Sequence, residues 1–224
     1  NACTGAEGFG YCKDTADAAA KALNISADGV LIGSTGVIGK QIPIDKIAAG
    51  GEMLKPQLAA TREAAATAAQ AIMTTDTEPK EVAVQIEIGG KTVTIGSMCK
   101  GSGMIHPNMC TMLSFITTDA AITKEALQKA LSDDVNDTYN MISVDGDTST
   151  NDSVVLLANG MAENEVITVD SESYKTFAEA LHEINEYLAK KIAGDGEGAT
   201  ALFEVTVVGA DTKETAKTLA KSIV

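Results

Sequence analysis

The clearest pattern in the chain is an alternation of apolar and polar residues between positions 82 and 95. The apolar positions of its first half are Val82, Val84, Ile86 and Ile88. Gly89-Gly90 follows as a two-residue turn, and Thr92–Ile95 resumes the alternation. Because alternate residues of a strand face opposite sides, this pattern predicts a β-hairpin that delivers the chain to Lys100.

Other segments place apolar residues at three- and four-residue steps, the spacing of one face of an α-helix. The longest runs through Tyr174, Phe177, Leu181, Ile184, Leu188 and Ile192. Shorter helices are predicted over Asp14–Leu23, Gln57–Met73 and Thr123–Leu131, with a last helix from Asp211. Short β-prone runs lie at Gly29–Ile32, Thr111–Thr118, Val154–Leu157 and Leu202–Val208. Since helices and strands alternate along the chain, the predicted class is α/β or α+β.

The composition limits the classes of protein to which the chain could belong. The net charge is −14 and the hydrophobic fraction is 45%, which is typical of a soluble globular protein with an acidic surface. Such a surface repels a phosphate backbone, so we expect no nucleic-acid partner. No apolar run approaches the roughly 20 residues that a bilayer-spanning helix needs, and no signal-like segment is present. We therefore expect neither a membrane span nor export, and a cytoplasmic location is expected.

The thiols and imidazoles do not form a metal-binding pattern. The candidate ligands are Cys3, Cys12, Cys99, Cys110, His106 and His182. They include no C-x-x-C pair, and a zinc site needs four ligands at closer spacings, so no metal is expected. The chain starts at Asn1 without Met and stops at Val224 inside a helical pattern. We expect it to be a piece of a longer protein.

The segment from Lys100 to Asp119 carries the strongest candidate chemistry. Lys100 precedes the loop Gly101–Cys110, and Thr111 begins a β-prone run. A hydroxyl is a weak nucleophile unless a base lies beside it, and an N-terminal threonine has one in its own α-amine, with a pKa of about 8. Cleavage before Thr111 would create that pair. From spacing alone, the simpler interpretation is a glycine-containing loop that enters a core strand.

Six segments together carry a family resemblance. They are Asn1–Gly5, Ser34–Gly39, Ala71–Thr77, Lys100–Ala120, Val144–Asp152 and Asp195–Thr200. All of them, in this order, resemble segments of the bifunctional ornithine acetyltransferases, also called glutamate N-acetyltransferases, of arginine biosynthesis. Lys100–Ala120 resembles the family's processing-site signature. The resemblance covers essentially the whole chain.

The resemblance implies roles for individual residues. Thr111 matches the nucleophile that the family frees by autocatalytic cleavage, here of the Cys110–Thr111 bond. Cys110 stands where the family usually has alanine, and because both are small we expect cleavage to survive. Thr35 and Gly36 match the oxyanion-hole pair. The positions that match substrate-binding residues are Thr74, Lys100, Thr111 and Glu197.

Elementary chemistry supports these roles. A small-residue turn such as Ser34-Thr35-Gly36 can direct an N–H and a hydroxyl at one oxyanion, and each such donor is worth about 3 kcal/mol. Lys100 can supply the cation that an α-carboxylate needs, and Glu197 can attract an amine. Without the resemblance, both charges would be interpreted as exposed loop residues.

The resemblance also implies a reaction, a fold and an assembly. The reaction moves an acetyl group from N2-acetylornithine to glutamate through acetyl-Thr111, without metal or cofactor; some members also use acetyl-CoA as donor. The implied fold is a layered α-β-β-α-type sandwich over residues 1–126, with a smaller α/β portion over 127–224. The pieces upstream and downstream of the cut, α and β, would stay together and pair into a heterotetramer.

Several alternatives stay open from the residues alone. An N-terminal-nucleophile amidase or aminopeptidase would use water as the acceptor in place of glutamate. Gly33, Gly36 and Gly39 after a strand invite a dinucleotide-binding interpretation, but their spacing of three is not the expected fingerprint. Asp145 opens a run that begins like a calcium loop, which then lacks the required Gly and Glu, so a structural polar turn is favoured. His106 lies five residues before Thr111 and is more simply incidental than a general base.

Overall fold

A computed structural model describes residues 1–106 and 112–224, and these residues form two compact units, Asn1–Ala68 and Ala69–Val224. The helices are α1 (Gly5–Leu23), α2 (Ile44–Leu54), α3 (Arg62–Ala71), α4 (Lys124–Val135), α5 (Glu172–Gly194) and α6 (Lys213–Lys221). The strands are β1 (Lys80–Ile88), β2 (Lys91–Lys100), β3 (Leu113–Thr118) and β4 (Ser153–Ala158). The division after residue 126 that the resemblance implies stays a prediction.

In the first unit, α1 packs against α2. Helix α1 ends at Asn24, which adopts the left-handed conformation that commonly terminates helices. The loop between the two helices is held to the start of the chain: Gly39 N donates to the Ala2 carbonyl at 2.8 Å, and Asn1 Nδ2 donates to the Lys40 carbonyl at 2.7 Å. These bonds fix the conformation of the segment that contains Thr35 and Gly36.

The second unit is built on a four-stranded sheet in the order β1-β2-β3-β4. Strands β1 and β2 form the predicted hairpin, with Ile88 opposite Lys91 across the Gly89-Gly90 turn. Strand β3 is antiparallel to β2, and β4 is parallel to β3. Because β2 ends at Lys100 opposite Leu113, the loop that leaves β2 and the start of β3 lie at the same edge of the sheet.

Helix α5 closes the core of the second unit. It packs on β1 and β2, and α4 packs on α5. Its fully buried apolar residues are Phe177, Leu181, Ile184, Leu188 and Ile192. This is the periodic face predicted from the sequence, and burial of each such side chain contributes about 1.5–3 kcal/mol. The core places the C-terminal end of α5 beside the edge where β2 ends.

Some predicted elements differ from the observed ones. The α/β class is confirmed, whereas the strands predicted at Gly29–Ile32 and Leu202–Val208 are wrong, because neither segment pairs with a strand of the described residues. A strand gains its hydrogen bonds only from a neighbour, and Phe203 is 69% exposed. The described residues form one sheet, so the implied two-sheet sandwich stays a prediction. None of the described helices is apolar over a length that could cross a bilayer.

Candidate active site

Lys100 ends β2 and is almost completely buried, with 2% of its surface exposed. Its ammonium lies 3.9 Å from Asp76 Oδ2, too far for a hydrogen bond. Burial lowers the pKa of Lys100 below the ordinary lysine value, and nearby Lys80 adds to this effect, whereas Asp76 and Glu197 oppose it. Within residues 1–106 and 112–224, this 3.9 Å pair is the ion pair of Lys100, and a buried cation paired at such a distance is a candidate ligand for an anionic group.

Asp76 organises the loop before β1 and the loop after β2. Its Oδ1 accepts hydrogen bonds from Lys80 Nζ at 2.8 Å and from Gly101 N at 2.7 Å. Its Oδ2 accepts one from Thr74 N at 3.1 Å. Burial would raise the pKa of Asp76, but the hydrogen bonds from Lys80, Gly101 and Thr74 outweigh it and hold that pKa below its ordinary value. Asp76 is therefore a charged anchor that fixes the backbone at Thr74 and at Gly101, the residue after Lys100.

Asp195, directly after α5, is the second anchor. Its Oδ2 accepts hydrogen bonds from Lys80 Nζ at 2.6 Å and from Thr77 N at 2.9 Å, and its Oδ1 accepts one from Thr77 Oγ1. Its main-chain carbonyl accepts a hydrogen bond from Ser102 Oγ at 2.7 Å. Asp195 thus joins the end of α5 to the loops that flank β1 and β2.

The hydrogen bond between Ser102 and Asp195 also brings Glu197 to the loop after β2. Its backbone N–H donates to the Ser102 carbonyl at 2.9 Å. Its side chain lies against Gly103, where a Cβ atom would come within 2.5 Å of the Glu197 carboxyl carbon. A larger residue at position 103 would therefore displace the Glu197 carboxylate from this place. The structure therefore brings Thr74, Lys100 and Glu197 together around one buried charge cluster.

We define the charge cluster as Asp76, Lys80, Lys100 and Asp195, whose side chains are at most 5% exposed. Thr35 and Gly36, the candidate oxyanion-hole pair, belong to the first unit. There a Cβ atom on Gly36 would come within 2.5 Å of Asn1 Oδ1. A side chain at position 36 would displace Asn1, whose Nδ2 donates to the Lys40 carbonyl.

Cys110 and Thr111 lie outside the described residues, but both flanks of this segment are fixed. Asp145 accepts hydrogen bonds from Met104 N at 2.5 Å and from Ile105 N at 2.9 Å. On the other side, Asp152 Oδ1 accepts one from Met112 N at 3.1 Å. One polar turn, Val144–Asp152, therefore holds the chain on both sides of the candidate cleavage site.

The individual side chains of this region are not arranged for metal binding. Among residues 1–106 and 112–224, no group of His, Cys, Asp and Glu side chains could hold a metal ion. Asp145 instead binds backbone N–H groups, as a structural turn does.

Two titratable side chains lie near the candidate cleavage site. His106 Nδ1 lies 3.1 Å from Ser143 Oγ. Burial raises the pKa of Asp152 to about 6.

A cavity of about 570 Å³ opens beside Glu197. Its other walls include Ser143, Lys190 and Phe203. Lys100 and Thr74 are not among the described residues that line it. Through Glu197, the cavity lies next to the charge cluster. The candidate substrate site is the region around Lys100 and Glu197.

Comparison with known proteins identifies the family. The ArgJ family matches residues 1–224. The chain belongs to the ArgJ family. It is 52% identical over 223 residues to the arginine biosynthesis bifunctional protein ArgJ of Symbiobacterium thermophilum, covering 100% of this chain and 55% of that protein. The protein of the same name from Thermotoga neapolitana is 49% identical over 224 residues, covering 100% of this chain and 56% of that protein.

A solved ArgJ structure is also similar to this chain. The crystal structure of arginine biosynthesis bifunctional protein ArgJ from Bacillus halodurans is 55% identical, with a TM-score of 0.50, and the match covers 51% of this chain and 54% of that one. The chain spans about half the length of the curated relatives that it matches. Membership of the ArgJ family confirms the resemblance drawn from the six sequence segments.

Sequence reasoning did not identify Asp76, Lys80, Ser102 and Asp195 as part of the site. One signal was present, because Lys80 is in phase with Val82 and Val84, which the alternation predicts to be buried. A lysine on a buried face needs a carboxylate partner. The partners Asp76 and Asp195 also lie inside segments that carry the ArgJ resemblance, but nothing local pairs them with Lys80.

Proposed function

We propose that the ArgJ protein to which this chain belongs transfers an acetyl group from N2-acetylornithine to glutamate. The observation that carries this proposal is the gathering of Thr74, Lys100 and Glu197 around one buried charge cluster in a chain of the ArgJ family. The two products would be ornithine and N-acetylglutamate. The relatives are named arginine biosynthesis proteins, which agrees with these products.

The proposed mechanism begins with cleavage of the Cys110–Thr111 bond, which frees the α-amine of Thr111. That amine takes the proton of the Thr111 hydroxyl while Oγ1 attacks the acetyl carbonyl carbon of N2-acetylornithine. The resulting oxyanion is stabilised by the N–H and hydroxyl donors of Thr35 and Gly36. The tetrahedral intermediate collapses, the C–N bond breaks, and the ornithine amine leaves with a proton from the ammonium of Thr111.

The second half of the reaction reverses the first with a different amine. Glutamate, with its α-amine neutral, attacks the carbonyl carbon of acetyl-Thr111, and the same donors stabilise the second oxyanion. N-acetylglutamate leaves, and Thr111 Oγ1 recovers its proton. Because nucleophile and base belong to one residue, the proposed chemistry needs no metal or cofactor. Acetyl-CoA would be an alternative donor to the same nucleophile.

Substrate recognition in this proposal depends on opposite charges. Lys100 binds the α-carboxylate of either substrate, and its burial strengthens the interaction, because charges attract more strongly away from water. Glu197 binds the side-chain ammonium of the ornithine moiety, and Thr74 contributes a polar contact. The fixed positions of Gly101 and Ser102 support this arrangement, since they hold the backbone between Lys100 and Gly103.

The proposal includes an assembly and a location. Cleavage gives an α piece that ends at Cys110 and a β piece that starts at Thr111. The two pieces remain associated and pair into a heterotetramer of two α and two β pieces in the cytoplasm. The hydrogen bonds from Met104 N and Ile105 N of the α piece to Asp145 of the β piece support association after the cut.

Incubation of the full-length protein with N2-acetylornithine, with and without glutamate, tests the proposal. We expect N-acetylglutamate and ornithine in equal amounts when both substrates are present. Release of acetate with no N-acetylglutamate would instead establish the amidase alternative. A denaturing gel of the same sample should show two pieces, and a single band in an active sample would contradict self-cleavage.

A further inference from the structure

Lys80 is a buried lysine that the mechanism above does not use. Its side chain is 0% exposed, and its ammonium contacts Asp76 Oδ1 at 2.8 Å and Asp195 Oδ2 at 2.6 Å. Burial alone would lower the pKa of Lys80, but its hydrogen bonds to Asp195 and Asp76 outweigh this effect and raise that pKa. Lys80 is therefore a charged residue that bridges two buried carboxylates.

Lys100 competes for the same carboxylate. Its ammonium lies 3.9 Å from Asp76 Oδ2, while Lys80 occupies Oδ1 of that group at hydrogen-bond distance. A buried carboxylate that lost its close cation would attract the nearest remaining one strongly, because the interior screens charges poorly. Among the ion pairs of the described residues, the one that remains to Asp76 without Lys80 is that with Lys100.

We propose that Lys80 is a positioning residue for the substrate site: by binding both Asp76 and Asp195, it prevents Asp76 from capturing Lys100 and leaves Lys100 available for a substrate carboxylate. This inference rests on the proposed function of Lys100 as the carboxylate ligand. Asp195 also accepts hydrogen bonds from Thr77 N and Thr77 Oγ1, which hold its carboxylate independently of Lys80.

The charge count of the cluster supports this role. Asp76 and Asp195 supply two negative charges, and Lys80 and Lys100 supply two positive charges. Both carboxylates are within hydrogen-bond distance of Lys80, whereas Lys100 has its one ion pair within the described residues at 3.9 Å. The arrangement thus assigns both anions to one lysine and leaves the other lysine to bind a further anion.

Lys80→Met in the full-length protein tests this directly. We expect KM for N2-acetylornithine to rise about tenfold or more, while kcat changes less than about threefold, because the lost interaction is with the substrate carboxylate. Lys191→Met is the matched control, since Lys191 makes a surface ion pair of 2.9 Å with Glu78 near the same end of α5. It should leave KM and kcat unchanged. An unchanged KM in a folded Lys80→Met variant would overturn the proposal.

The double variant Lys80→Met/Asp76→Asn separates capture of Lys100 from general damage. It removes one charge of each sign, and the amide introduced at position 76 keeps an oxygen acceptor for Gly101 N or Thr74 N. If Lys80 acts by neutralising Asp76, the double variant should regain a KM within about threefold of the wild type. This holds even if the single variant does not fold. A folded double variant whose KM remains raised tenfold would contradict the proposal.

A measurement on the wild type keeps this inference separable from the proposed function. Lysine side-chain NMR of the full-length protein should find that Lys100 titrates below the ordinary lysine range and Lys80 above it. This result does not require acetyl transfer. Absence of transfer together with this titration order would refute the proposed function alone, whereas a Lys100 that titrates above Lys80 would refute the inference.

Discussion

The charge cluster differs from a second buried polar network that joins β3, α4 and α5. In that network the Tyr139 hydroxyl donates to Asn185 Oδ1 at 3.2 Å and lies 3.2 Å from Ser114 Oγ. Asn185 Nδ2 donates to Asp134 Oδ2 at 2.6 Å, and Asp134 Oδ1 lies 2.6 Å from His182 Nδ1. We call these five residues the tyrosine network.

The two regions bury polar atoms for different purposes. In the tyrosine network, Ser114, Tyr139 and Asn185 are linked at hydrogen-bond distances, and Asn185 and His182 contact the carboxylate of Asp134. This arrangement favours one packing of the helices on the sheet. The charge cluster instead contains Lys100, whose nearest ion pair is long. Incomplete pairing of a buried charge costs stability, so its presence beside Thr74 and Glu197 indicates a function for it.

The largest effect that separates the two regions is expected for Lys100→Met. Loss of a charged hydrogen bond to the substrate carboxylate should lower kcat/KM for N2-acetylornithine about 100-fold, equivalent to about 2.7 kcal/mol, chiefly through KM. The free energy of unfolding should change by less than about 1 kcal/mol, since the variant loses a long ion pair and also the cost of a buried ammonium. Steady-state kinetics and denaturant unfolding measure the two quantities.

Lys91→Met is the matched control for this experiment. Lys91 lies at the opposite end of the same strand and makes a surface ion pair with Glu163 at 3.8 Å, close to the 3.9 Å of Lys100 and Asp76. Its loss should leave kinetics and stability unchanged. Equal kinetic effects of the two substitutions would remove Lys100 from the substrate site.

A substitution in the tyrosine network should lower the free energy of unfolding and leave the kinetic constants nearly unchanged. Tyr139→Phe removes the hydroxyl that contacts the buried atoms Asn185 Oδ1 and Ser114 Oγ, so we expect the free energy of unfolding to fall by about 1–2 kcal/mol. KM and kcat should stay within about twofold of the wild type. Tyr11→Phe is the control, because Tyr11 donates to Glu7 Oε1 at 2.8 Å on the exposed surface. A tenfold change in KM for Tyr139→Phe would invalidate the contrast between the two regions.

The smallest expected effect concerns Asp152, beside the candidate cleavage site. Burial raises its pKa to about 6 from 3.8, so the folded protein binds this proton more tightly than the unfolded chain. Stability from this group is therefore fully present below about pH 4 and is lost as the pH rises through about 6. Because the side chain is half-buried, the change should be below about 1 kcal/mol.

Denaturant unfolding of wild type and Asp152→Asn between pH 4 and pH 7 measures this effect. The variant keeps an acceptor for Met112 N but cannot ionise, so its stability relative to the wild type should improve as the pH rises. A difference that does not vary with pH would show that the Asp152 carboxyl does not titrate in this range.

Local patterns predicted the elements whose stability depends on their own sequence. The hairpin was predicted from its alternation and glycine turn, and α5 from the spacing of Phe177, Leu181 and Ile184. Helix α2 was missed because Gly50 and Gly51 lower its intrinsic helix propensity, and packing against α1 compensates for them. The strand predicted at Leu202–Val208 was wrong because β-propensity gives no partner strand.

From the sequence, only those site residues were predicted to which the family resemblance assigns a role. Thr74, Lys100 and Glu197 were named in this way, and their proximity in the structure agrees with that grouping. The supporting contacts of Lys80 with Asp76 and Asp195 were not predicted, because the partner Asp195 lies 115 residues away in sequence. Sequence patterns of period two or 3.6 describe neighbours along an element and give no such pairing.

The proposed reaction passes the acetyl group through Thr111, and intact-mass spectrometry of the full-length protein tests this most directly. After incubation with N2-acetylornithine in the absence of glutamate, the piece that begins at Thr111 should gain the mass of one acetyl group. Addition of glutamate should remove that mass, and Thr111→Ala should remain uncut and unmodified. An active protein in which Cys110 and Thr111 are still joined, or in which the acetyl group resides on another residue, would contradict the account.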